Sequence, residues 1–61
     1  MKATFITGAS SGLGREFAKL YAKDNNNLIL LGTNLHGLEE TKSIVLETNP
    51  NINIDIITAD L

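Results

Sequence analysis

Apolar positions along this 61-residue chain fall into five blocks whose spacing alternates between strand and helix. Residues 2–7, Lys-Ala-Thr-Phe-Ile-Thr, are β-prone and halt at Gly8, which predicts a short first strand. After a glycine-rich segment, Leu13, Phe17, Leu20 and Tyr21 recur at steps of four, three and one. With Ala18 they predict the buried face of a helix over 12–23, leaving Arg15, Glu16, Lys19 and Lys23 on the solvated face. Asp24-Asn25-Asn26-Asn27 ends that helix, because asparagine tolerates the left-handed conformation of a helix C-terminus. Leu28–Leu31 is continuously apolar, the mark of a strand buried on both faces. Gly32-Thr33-Asn34 closes it, and Asn34 is placed to cap a second helix. Leu35, Leu38, Val45 and Leu46 supply the apolar face of that helix, and Glu39 and Glu40 stand early in it. Thr48-Asn49-Pro50-Asn51 breaks it, and the β-branched run from Ile52 to Ile57 predicts a third strand ending near Ala59-Asp60-Leu61.

The order βαβαβ, with helices of crossover length, predicts an α/β fold. Crossovers of this kind are right-handed, so the strands take the order 3-2-1 with both helices on one face. This is one half of a doubly wound parallel sheet, the Rossmann arrangement, and residues 1–61 form a single domain. The other face of such a sheet exposes alternate apolar residues, and the first strand presents an open edge. Both are liabilities that self-association or further chain would cover, so a homo-oligomer is expected.

Charge and composition narrow the function by exclusion. Five Lys and Arg against seven Asp and Glu give a net charge of −2, and aromatics make up 5%. Neither a basic patch nor a stacking platform for nucleic acid is present. There is no cysteine, and His36 is the sole histidine, so no metal site is expected. His36 is read as an exposed residue in the first turn of the second helix. The run Leu28–Leu31 is far too short to cross a bilayer. Met1-Lys2 leads straight into a strand-like run, and the expected compartment is the cytoplasm.

Candidate chemistry concentrates in Thr7-Gly8-Ala9-Ser10-Ser11-Gly12-Leu13-Gly14. An anion above the start of the first helix would meet unpaired N–H groups and a partial positive charge. Gly8 permits the tight turn out of the strand, Gly12 lets a pyrophosphate approach the backbone, and Gly14 lets the helix pack closely on the sheet. Ser10 and Ser11 add hydroxyl donors. A plain tight turn needs one glycine; three at this spacing with two serines favour phosphate binding. A nucleoside-triphosphatase loop does not fit, because Leu13, Gly14 and Arg15 occupy the positions where Gly, Lys and Ser or Thr would be required.

Thr-Gly-Ala-Ser-Ser-Gly-Leu-Gly resembles the TGxxxGxG cofactor loop of the short-chain dehydrogenase/reductase family. Leu28–Asn34 is similar to the second strand and turn of that family, and Asp60-Leu61 to the Asp-hydrophobic pair after its third strand. The resemblance covers essentially the whole chain. It implies a nicotinamide dinucleotide cofactor, with Gly8, Ser10, Ser11, Gly12, Leu13 and Gly14 around the pyrophosphate and adjacent ribose. It also implies Asp60 at the adenine amino group and Leu61 beside the ring. An acidic residue closing the second strand would select NAD. Gly32 stands there instead, with neutral Thr33 and Asn34 able to hydrogen-bond a 2′-phosphate, so NADP is favoured over NAD.

The resemblance implies a parent oxidoreductase that transfers a hydride between NAD(P) and an alcohol or carbonyl of a small-molecule substrate. The family's Ser, Tyr and Lys relay follows the third strand. The sole tyrosine here, Tyr21, has Asn25 where a YxxxK motif needs lysine. These 61 residues alone are therefore expected to bind cofactor and to be inactive, with no catalytic residue among them. Two other readings stand beside this one: a freestanding, self-associating nucleotide-binding module, and a non-enzymatic interaction piece.

Overall fold

A computed structural model describes residues 3–10 and 12–58. Ser11, Asp60 and Leu61 of the expected site lie outside the described residues. The elements follow the expected order: β1 (Ala3–Ile6), α1 (Gly12–Lys23), β2 (Asn27–Gly32), α2 (Leu35–Thr48) and β3 (Ile54–Thr58). All pairing is parallel, with β2 central: Ile6 stands opposite Leu30, and Leu30 opposite Ile56. The sheet order β1-β2-β3 is the expected 3-2-1 order read from the other edge. No helix among the described residues is long and apolar enough to cross a membrane.

Alternation along the strands decides where the core sits. Ile6, Leu28, Leu30 and Ile54 point to one face and are buried with Ala18, Ala22, Leu38 and Val45. On the other face Phe5 and Ile57 are exposed. The two helices lie side by side on the first face and are tied together at both ends.

At the far end, α1 closes with Asn25 in the left-handed conformation at φ 58°. Asn26 N–H donates to Tyr21 O and Asn25 N–H to Ala22 O, the bonding pattern of a Schellman cap. The Asn49 Nδ2 then donates to Ala22 O at 2.8 Å and to Asn25 Oδ1 at 2.7 Å, joining the end of α2 to the end of α1.

Two helix faces differ from the sequence reading. Ala18 is buried in α1 as expected and Ala22 with it, whereas Leu13 (71% exposed), Phe17, Leu20 (59%) and Tyr21, expected on the same face, point outward. The stripe Gly14-Ala18-Ala22, spaced by four, brings the backbone of α1 close to the sheet. The bulkier residues are left beside the open edge of β1. Hydrophobic size misled here, because close packing chose the small residues. In α2, Leu38 and Val45 are buried and Leu46 packs against the core, as expected. Leu35, the first residue of α2, is exposed, and buried Thr41 completes the stripe instead.

Candidate functional site

The glycine-rich turn crosses the carboxyl ends of β1 and β2, and the start of α2 rises beside it. The polypeptide enters the turn through Gly8 at φ 62° and leaves through Gly12 at φ 57°, conformations that side chains bearing a Cβ disfavour. Nothing lies within 4 Å of the place a Cβ would take at either residue. The turn therefore needs glycine here for its backbone angles, and it presents open space above them.

Gly14 has a different reason. A Cβ on it would collide with the carbonyl of Gly8, so the first turn of α1 lies directly on the turn backbone. Gly37 repeats the device from α2: its Cβ would stand 2.8 Å from both Cβ and O of Ser10. Sequence reading did not single out Gly37. A glycine inside a helical pattern, unfavourable there by about 1 kcal/mol, was the available signal.

The polar groups of the turn are sorted by direction. Ala9 N–H donates to Leu31 O at 3.1 Å, tying the turn to β2. The Thr41 hydroxyl donates to Ala9 O at 2.6 Å, with Gly37 O also within reach at 3.0 Å. The guanidinium of Arg15 donates through Nε to Thr41 Oγ1 at 2.9 Å. Its Nη2 donates to Ser10 O at 2.8 Å and Gly37 O at 3.3 Å. The carbonyls of Ala9 and Ser10 are thus both engaged by side chains of the protein. Arg15, expected on the solvated face of α1, is half-buried beneath the turn because these acceptors converge there.

What faces outward is the N-terminal end of α1, whose first N–H groups have no partner within the helix. Neither helix carries an acidic residue in its first turn, so no carboxylate of its own competes for either N-terminus. Glu39 and Glu40 stand beyond the first turn of α2, and Glu40 pairs with exposed His36 at 3.2 Å. Ser10 is half-buried and Leu13 lies at the surface beside the helix start. Thr33 and Asn34 are exposed between β2 and α2. Asn34 Oδ1 accepts from Gly37 N–H at 3.2 Å, the expected N-cap. Gly8, Ser10, Gly12, Leu13, Gly14, Thr33 and Asn34 are therefore gathered at the carboxyl edge of the sheet, where ligands of doubly wound folds bind. A mainly apolar groove of about 520 Å³ runs along β1, sharing Gly8, Leu13 and Gly14 with this edge and lined further by Phe5, Phe17 and Tyr21. Among the described residues no cluster of three or more His, Cys, Asp or Glu could hold a metal.

Comparison with known proteins agrees with this geometry. The family model for short chain dehydrogenase matches residues 2–61. The very-long-chain 3-oxoacyl-CoA reductase-like protein of Arabidopsis thaliana is 44% identical over 55 residues, covering 90% of this chain and 18% of that protein. The crystal structure of levodione reductase superposes with a TM-score of 0.93 at 39% identity, over 97% of this chain and 23% of the other. The short-chain dehydrogenase from Sphingobium yanoikuyae in complex with NADPH gives 0.88 at 26% identity, over 100% and 24%. The chain spans about a fifth of the length of these relatives.

Proposed function

The chain belongs to the short-chain dehydrogenase family, and from that premise we propose that its glycine turn binds the pyrophosphate of a nicotinamide dinucleotide. The observation carrying this reading is the engagement of two successive carbonyls, of Ala9 and Ser10, by side chains of the protein. An anion over the turn then meets N–H groups without the opposing dipoles of those two carbonyls. Gly8 and Gly12 leave the room a phosphate needs, and Ser10 and Ser11 add hydroxyl donors. Leu13 and Gly14 complete the pyrophosphate end of the site, with Asp60 and Leu61 at the adenine.

The proposed cofactor is NADP in preference to NAD. Gly32 leaves the end of β2 without a carboxylate, and Thr33 and Asn34 offer neutral donors to a 2′-phosphate. One structural relative is a complex with NADPH. When bound, the dinucleotide supplies or accepts a hydride; these residues bind and orient it. The whole protein is proposed to be an oxidoreductase acting on an alcohol or carbonyl of a small molecule, as a homo-oligomer. Its acid–base residues are proposed to come from outside this stretch, which is the cofactor-binding N-terminal part and is inactive alone.

Calorimetric titration of the intact protein tests the reading. NADPH is expected to bind at least about tenfold more tightly than NADH, a difference of about 1.4 kcal/mol. NADH binding tenfold tighter would overturn the NADP preference, and binding of neither would overturn the dinucleotide site.

A further inference from the structure

The side chain at the centre of the turn's support is one that the glycine motif does not include. Arg15 reaches three partners on two neighbouring segments: Thr41 Oγ1 and Gly37 O of α2, and Ser10 O of the turn. The charged-group contacts between side chains of the described residues, Lys19 with Glu16 and His36 with Glu40, do not involve Arg15. Arginine stays charged at any physiological pH, and its planar fork can hold several acceptors in fixed geometry. The result is a half-buried cation, bonded to neutral oxygens, at the junction of the turn and α2.

We infer that Arg15, acting with Thr41, is a positioning residue that holds the pyrophosphate turn in register with the N-terminal end of α2. This role rests on the dinucleotide reading proposed above. The turn would hold one end of the adenosine diphosphate portion, and the Thr33–Asn34 segment beside α2 would hold the other. A ligand spanning both gains from their fixed separation, because the ordering cost is met before binding. Arg15 also draws the Ser10 carbonyl away from the anion, and Thr41 does the same for the carbonyl of Ala9. Neither side chain needs to touch cofactor to do this.

The test compares NADPH with adenosine, which lacks the pyrophosphate, on the intact protein and four variants. Arg15→Met is expected to weaken NADPH at least about tenfold, the loss typical of a charge-assisted hydrogen bond, while leaving adenosine within about twofold. Arg15→Lys keeps the charge without the fork and is expected to fall between Arg15→Met and the parent. Thr41→Val is expected to weaken NADPH in the same selective way, and Thr41→Ser, which keeps the hydroxyl, to restore it. Partial unfolding would instead lower the number of sites for both ligands equally. Arg15→Met binding NADPH within twofold of the parent would overturn the role, as would equal loss of both ligands or a Thr41→Ser variant no better than Thr41→Val. A parent protein that binds no dinucleotide would overturn the cofactor reading itself, and that outcome is visible in the parent alone.

Discussion

Gly37 and Ser10 meet so closely that a Cβ on Gly37 would stand 2.8 Å from the Cβ of Ser10 and equally near its carbonyl oxygen. The first turn of α2 therefore rests on the glycine turn, and only hydrogen fits between them. Gly37→Ala is expected to push the two segments apart. Overpacking of this kind costs about 1–3 kcal/mol, offset in part by the better helix propensity of alanine. Denaturant unfolding should show the net loss, and NADPH binding should weaken with it.

The same substitution at two glycines of the first turn of α1 should fail for different reasons. Gly14→Ala drives a methyl into the Gly8 carbonyl, which is backbone and has no flexible side chain to yield. Its expected cost is about 2–3 kcal/mol. Gly12→Ala meets open space and bears only the left-handed backbone penalty, about 1–2 kcal/mol. Paired unfolding curves should rank Gly14→Ala as the less stable.

Ala18 is fully buried in the seam of α1 against the sheet. Ala18→Leu would add three carbons where the backbone already approaches closely. Destabilisation of about 1–3 kcal/mol is expected from chemical unfolding, in spite of the greater hydrophobicity of leucine.

Thr33 is exposed just past the end of β2, and no carboxylate stands beside it in the β2–α2 turn, Gly32-Thr33-Asn34. Thr33→Asp places a negative charge where the proposed 2′-phosphate would lie. The ratio of NADH to NADPH affinity is expected to rise at least about tenfold, in line with like-charge repulsion and a new acceptor for the ribose hydroxyls. Stability should stay within about 0.5 kcal/mol, as for other surface changes.

Period and punctuation made the fold legible. The limits of α1 at Gly12 and Lys23, the cap at Asn34 and the left-handed Asn25 all follow from local chemistry that a single sequence carries. The glycine turn was legible for the same reason, since positive φ at Gly8 and Gly12 is a local demand. Which face of α1 is buried was not. Leu13, Phe17, Leu20 and Tyr21 form the more hydrophobic stripe, but the approach distance between helix and sheet selected Gly14, Ala18 and Ala22. The support of the turn was also hidden. Arg15, Gly37 and Thr41 are far apart in sequence and meet only once α1 and α2 lie side by side. Arg15 in isolation reads as one more solvated cation.

The central claim is that the turn from Gly8 to Gly14 holds the pyrophosphate of a nicotinamide dinucleotide. Mapping amide chemical shifts of the intact protein during an NADPH titration tests it most directly. The expected result is that the largest saturable shifts fall on the amides of Ser10 through Gly14, with smaller ones at Thr33 and Asn34. Shifts confined to the groove along β1, at Phe5, Phe17 and Tyr21, or no saturable shift at all, would contradict it.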